Sequence, residues 1–84
     1  MNDELGKHWQ DTDGYHIDVS SLGPPEPMVA VIGLIERPDM EGPIIVHHNR
    51  EPIHLYPELN ERGWQYEIIK KSPGEVCLKL TRRL

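Results

Sequence analysis

The chain has 84 residues, of which 37% are hydrophobic and 27% are charged, and its formal net charge is −5 at pH 7. This length suits one small domain with a single modest core, and it leaves no room for a large enclosed active site. The acidic balance argues against non-specific nucleic-acid binding, and no apolar run reaches the roughly 18 residues of a membrane span.

The first half of the chain predicts an arm, a strand and a helix. Residues 1–13 show neither helical nor strand periodicity, so we interpret them as a flexible arm ahead of one domain over residues 14–84. Apolar and polar residues alternate over residues 15–19, which predicts a half-buried strand. Pro27 then suits the first turn of a helix, which the apolar stripe over residues 28–35 continues.

The second half predicts a strand, a helix and a β-hairpin. Residues 43–48 form a nearly continuous apolar run, typical of a covered strand. A helix follows within residues 52–62, and Pro57 predicts that its first turn is irregular. Residues 64–68 and 76–81 alternate as the two strands of a hairpin. The order β-α-β-α-β-β predicts an α+β two-layer sandwich, with both helices on one face of a four-stranded mixed sheet.

The sheet face opposite the helices is expected to be polar and exposed. The side chains predicted to point outward on it are His16, Asp18, His47, Gln65, Glu67, Cys77, Lys79 and Thr81. Cys77 is the only cysteine, which excludes an internal disulfide and a four-cysteine zinc site and favours a cytoplasmic setting. Because we place its sulfur outward, we expect Cys77→Ser to change stability by less than about 1 kcal/mol.

Two loops form the candidate site. If the strands at 15–19 and 43–48 are parallel neighbours, the loops at 23–27 and 48–52 emerge together at one edge of the sheet. In open α/β sheets, ligands usually bind at this edge, outside the carboxyl ends of the strands. Both loops open helices, whose free N–H groups attract anions, and Arg50 adds a forked donor. Alternatively, the prolines only stiffen the turns, and Arg50 pairs with an acidic neighbour, Glu26 or Glu51. The predicted site residues are Pro24, Pro25, Glu26, Pro27, His48, Asn49, Arg50 and Glu51.

The first of these loops carries a family resemblance. A strand, then Pro25-Glu26-Pro27, then an apolar helix resembles the TusA/SirA-like sulfur-carrier superfamily, whose motif there is Cys-Pro-x-Pro. Residues 48–57, followed by Gly63-Trp64, are similar to an uncharacterised branch of that superfamily, whose members sometimes occur beside hemerythrin-like domains. The resemblance covers residues 14–82 and implies the two-layer sandwich. Pro24 stands where the cysteine should be, so the sulfurtransferase role does not carry over, because persulfide carriage needs an activated thiolate.

The histidines form no established metal pattern. His47 and His48 are neighbours in a strand and point to opposite faces, so they cannot share an ion without distortion. His48 with His54 is the weak metal candidate, and His16 with His47 is a second cross-strand pair. Neither pair follows an established metal spacing, so we expect no metal and no cofactor. We also find no nucleophile elbow and no phosphate loop, and we therefore do not expect catalysis.

These observations lead to one function and two alternatives. The leading interpretation is a small cytoplasmic, non-catalytic binding or adaptor domain that holds a protein partner or a small anion at the edge of the two loops, without contacting nucleic acid or membrane. A sulfur or redox relay that uses Cys77 is the first alternative. A metal- or haem-associated accessory protein that uses His48 and His54 is the second. The sequence predicts no particular oligomeric state.

Overall fold

The computed structural model describes residues 6–83, which form five strands and two helices. The elements in chain order are β1 (Lys7–Asp11), β2 (Gly14–Asp18), α1 (Glu26–Ile35), β3 (Ile44–His48), α2 (Leu55–Glu61), β4 (Trp64–Ser72) and β5 (Glu75–Arg82). The strands make one mixed sheet in the order β1-β2-β3-β5-β4. β2 and β3 are parallel, and every other neighbouring pair is antiparallel. The α+β class is confirmed.

The fifth strand, β1, overturns the prediction of four strands and of a flexible arm at residues 7–11. β1 pairs antiparallel with β2, from Lys7 opposite Asp18 to Asp11 opposite Gly14. The loop between them has only two residues, and Gly14 follows it with a φ of 137°, a conformation that favours glycine. The remainder of the predicted arm, at residues 1–5, lies outside the described residues.

The core lies between one face of the sheet and both helices, as predicted. Alternate residues of the inner strands point to this face, and α1 and α2 cover it. The buried core comprises Ile17, Val19, Val31, Leu34, Ile35, Ile44, Val46, Leu55, Leu59, Trp64, Val76, Leu78 and Leu80. Each fully buried aliphatic side chain contributes about 1.5–3 kcal/mol through removal from water, so this cluster is the main source of stability.

Prolines set where both helices begin. Pro25 is the N-cap of α1 and Pro27 its second residue, positions at which a missing N–H breaks no helical hydrogen bond. In α2, Pro57 is the third residue, and the chain before it forms turns rather than helix. The expected irregular start of the second helix is thus present. Neither helix in the described part of the chain is long and apolar enough to cross a membrane.

Trp9 gives a direct test of whether β1 is part of the folded domain. Trp9→Ala should lower the free energy of unfolding by about 1 kcal/mol or more, because Trp9 stacks on two imidazole rings of the sheet. Gln10→Ala, which changes the exposed next residue of the same strand, should cost less than about 0.5 kcal/mol. Urea denaturation followed by circular dichroism measures both. Equal, negligible effects would restore the interpretation of an arm.

Candidate functional site: a cleft between two loops

Parallel pairing brings the loops after β2 and β3 to the same edge of the sheet. The pairing continues beyond β2, where the Val19 backbone N–H donates to the His47 carbonyl at 2.9 Å. The Asn49 side-chain amide then donates to the Ser20 carbonyl at 3.1 Å and ties one loop to the other. The two loops of the predicted site are therefore held side by side.

A cleft of about 490 Å³ lies between these loops. Six of the eight predicted site residues line it, namely Pro24, Pro25, Pro27, His48, Arg50 and Glu51. Glu26 and Asn49 do not. The other lining residues are Met28, Ile53 and Leu55, which were not predicted for this site, Pro52, which ends the second predicted loop, and His54, the weak metal candidate. Ile53 is 59% exposed although it is aliphatic. Its position next to Pro52, in the predicted irregular first turn of the second helix, was the sequence signal for this exposure.

Arg50 brings the cleft its positive charge. It is exposed, and it forms no ion pair or hydrogen bond with any other residue that the structure describes. The alternative in which Arg50 pairs with Glu26 or Glu51 is therefore wrong within this part of the chain. Glu51 instead accepts hydrogen bonds from the Lys71 ammonium and from the Tyr56 hydroxyl, both at 2.9 Å. These bonds lower the pKa of the Glu51 carboxyl.

Glu51 and Tyr56 brace the second loop against the sheet. The Tyr56 ring stacks on Tyr66 of β4, with 3.7 Å between the ring centroids and nearly parallel planes. Burial, together with the hydrogen bond to Glu51, raises the pKa of Tyr56 well above its usual range. Because Lys71 also belongs to β4, this group fixes the loop, while Arg50 keeps no carboxylate partner in the described part of the chain.

The start of α1 presents fewer free N–H groups than the sequence predicts. Pro25 and Pro27 have no N–H, and the Glu26 N–H already donates to the Gly23 carbonyl at 2.9 Å. At α2, the Leu55 N–H donates to the Pro52 carbonyl at 2.9 Å, and Pro57 has none to offer. The cleft is therefore an apolar surface with one free guanidinium rather than a nest of backbone donors.

His48 and His54 both line the cleft, but no third ligand joins them. His48 is buried, and its Nδ1 accepts a hydrogen bond from the Asn49 backbone N–H at 2.8 Å. Burial first, and then the charge of Arg50, lower the pKa of His48, which is therefore neutral at pH 7. Among the described residues, neither histidine belongs to a group of three converging ligand atoms.

A second group of polar side chains lies on the sheet face opposite the helices. The His16 ring joins two partners: its Nε2 lies 2.7 Å from the Asp13 carboxylate, and its Nδ1 lies 2.8 Å from Nε2 of His47. Trp9 stacks over both imidazoles, with centroids 5.0 Å from His16 and 5.2 Å from His47. His16 is consequently buried, which corrects the prediction that it is exposed. The stacking of Trp9 on the sheet was not predicted, because residues 1–13 show no strand periodicity and were interpreted as an arm.

Cys77 extends this group and is also buried. Its Sγ lies 3.4 Å from Nδ1 of His47, and 6% of the residue is exposed, so the prediction of an outward sulfur open to solvent was wrong. Burial, followed by the charge of Glu75, raises the pKa of the thiol. The environment thus favours a protonated thiol, whereas persulfide carriage needs a thiolate.

Comparison with known proteins places this chain in a family. It belongs to the family described as an uncharacterized conserved protein (DUF2249), whose sequence model matches residues 16–82. No curated protein and no solved structure gives a significant match. The match contains both cleft loops, whereas β1 and its turn precede it. Membership of an uncharacterised family is confirmed, and the relation to the sulfur carriers remains a prediction.

The depressed pKa of His48 predicts how stability depends on pH. In the unfolded chain His48 binds a proton near pH 6.5, whereas in the folded chain it binds one only at lower pH. The free energy of unfolding is therefore highest above about pH 6.5 and decreases as the pH falls. Burial also lowers the pKa of His47, so this residue changes stability with pH in the same direction. The carboxyl groups with lowered pKa values bind protons only at more acidic pH. A change of stability between pH 7 and pH 5 therefore reports on the histidines.

Urea denaturation at pH 7, 6 and 5 measures this dependence. The wild-type midpoint should fall over the interval, and His48→Asn should flatten the slope. Substitution of the exposed His54 by Asn is the control and should leave the slope unchanged. A wild-type midpoint that is equal at pH 7 and pH 5 would contradict the assignment.

The burial of Cys77 also changes the expected effect of replacing it. Cys77→Ser should cost about 1 kcal/mol or more, because a well-packed thiol is lost and a hydroxyl is desolvated in its place. Lys79→Ser, two residues along the same strand and face, should cost less. Chemical denaturation of the two variants compares them, and equal small costs would mean that Cys77 is as exposed as the sequence indicated.

Proposed function

We propose that this member of the DUF2249 family is a small, cytoplasmic, non-catalytic adaptor domain that binds a partner protein in the cleft between the two loops. The observation that carries the proposal is Arg50, a guanidinium with no ion pair to any residue from 6 to 83, at an apolar cleft whose loops are braced by other residues. An unpaired Arg at the mouth of an apolar pocket is well suited to a carboxylate on an otherwise apolar ligand.

The composition of the cleft favours a protein segment over a small inorganic anion. An inorganic anion would meet one exposed guanidinium and almost no backbone donors, and a single solvated ion pair contributes only about 0–1 kcal/mol. Apolar side chains of a peptide can instead cover the prolines, Met28 and Ile53, each at about 25 cal/mol for every Å² removed from water. The ligand we propose carries apolar side chains next to one acidic group.

The remaining polar groups of the cleft support binding rather than catalysis. His48 accepts the Asn49 amide through Nδ1, and Glu51 is engaged by Lys71 and Tyr56. Among the described residues that line the cleft there is no serine, threonine or cysteine. Specific binding without a reacting group is the behaviour of an adaptor.

We further propose that the scaffold is that of a sulfur carrier that has lost its thiol. Support comes from Pro25-Glu26-Pro27 at the start of α1 and from Pro24, which lines the cleft at the position of the motif cysteine. The alternative of a relay through Cys77 has one favourable observation, the contact of Cys77 with His47. Mass spectrometry after polysulfide treatment tests it: a sulfur adduct on Cys77 of the folded protein would favour the relay.

Peptide selection tests the adaptor proposal. A random peptide library is selected on the wild-type protein, and the enriched peptides are titrated by calorimetry. We expect apolar sequences with one acidic residue or a free carboxyl terminus, and a loss of affinity of about tenfold, or 1.4 kcal/mol, for Arg50→Ala. The melting temperature of this variant should be unchanged, because Arg50 makes no contact that the fold requires.

Lys79→Ala is the matched control, since it removes one positive charge from the opposite face of the sheet. It should bind the same peptides as the wild type does. Peptides that bind Arg50→Ala and the wild type equally well, or selection that enriches no sequence, would contradict the proposal.

A further inference from the structure

The turn between β1 and β2 gathers three potential metal ligands on the sheet face opposite the helices. Carboxylate oxygens of Asp11 and Asp13 and a ring nitrogen of His16 all lie within 4.8 Å of one another. The two-residue loop between β1 and β2 folds Asp11 and Asp13 back toward the ring of His16. Two of the three ligands come from a segment that shows no metal-binding spacing in the sequence.

The imidazole in this group is already oriented as a metal ligand. Metal-bound histidines almost always use their second ring nitrogen in a hydrogen bond that fixes the ring. His16 has such a bond, from Nδ1 to His47, and Trp9 stacks on the ring. The side chain of His16 is only 9% exposed, and its Nε2 points at the Asp13 carboxylate. The position of the ring is thus set by residues outside the ligand group.

The charges of the group also favour a cation. Neither Asp11 nor Asp13 pairs with a lysine or arginine that the structure describes. Asp11 accepts one hydrogen bond, from the Thr12 backbone N–H, and keeps its other oxygen available. Both carboxylates are exposed, so water can complete the coordination sphere.

We propose that Asp11, Asp13 and His16 bind one divalent transition-metal ion, such as Zn²⁺, Co²⁺ or Ni²⁺. Two carboxylates with one imidazole suit borderline ions, whereas a soft ion such as Cu⁺ would require the thiolate of Cys77, which is not in the group. The ion takes the place of the proton between Asp13 and His16. Their 2.7 Å separation then opens to about 3.0–3.4 Å, the spacing of adjacent octahedral or tetrahedral ligands with bonds of roughly 2.1 Å. In this state the His16 proton lies on Nδ1 and is donated to Nε2 of His47, whose own proton lies on Nδ1, beside Sγ of Cys77.

Calorimetric titration of the tag-free, EDTA-treated full chain with ZnCl₂ tests the site. One ion should bind for each chain, and Asp11→Asn and Asp13→Asn should each weaken binding at least tenfold. Both positions are exposed, so these variants are expected to fold. Glu67→Gln is the matched control, because it removes one exposed carboxylate from another part of the same sheet face, and it should leave affinity unchanged.

Quenching of tryptophan fluorescence by Ni²⁺ locates the ion. Trp9 lies against His16, whereas Trp64 belongs to the opposite edge strand, so quenching should disappear in Trp9→Phe while Zn²⁺ binding persists. Absence of binding by Zn²⁺, Co²⁺ and Ni²⁺ would overturn the proposal. Binding that survives equally in Asp11→Asn and Asp13→Asn, or that is lost in His54→Asn alone, would also overturn it by placing the ion elsewhere.

Discussion

The parallel pairing of β2 with β3 is the constraint on which the cleft depends. Parallel strands end at the same edge, so the chain must leave both strands there and return through helices on one face. β5 lies on the other side of β3 and buries it in the sheet, which keeps the pairing from slipping. The cleft, its apolar walls and the position of Arg50 all follow from this geometry.

The β1 hairpin gives the sheet a second functional face. Without Trp9 of β1, the rings of His16 and His47 would be open to water on this face. With Trp9 stacked over them, His16 and His47 are joined in one hydrogen-bonded line that runs from Asp13 to Cys77. The cleft and the Asp11–Asp13–His16 group therefore lie at different places in the fold, and each proposal can fail without the other.

The sequence could predict what depends on local pattern. Alternation in residues 15–19 and 76–81 indicated strands, and the prolines indicated where the helices begin. The order of the last six elements and the position of the loops between them could therefore be predicted. β1 was missed because Lys7, Gln10 and Asp11 dilute its apolar pattern and because its two-residue turn, Thr12-Asp13, is not one of the Asn-Gly or Asp-Gly pairs that mark a hairpin. The pairing of Glu51 with Lys71 and the burial of Cys77 against His47 each join residues that are far apart in the sequence. No local sequence pattern predicts such contacts.

Mapping of backbone amide NMR shifts during titration with a selected peptide tests the central claim most directly. We predict that the largest shifts fall on Met28, Arg50 and Ile53, which line the cleft, and that Lys79 and Thr81 on the opposite face stay unchanged. Shifts that cluster around His16, His47 and Lys79, with none at Arg50, would contradict it and would move the binding surface to the face covered by Trp9.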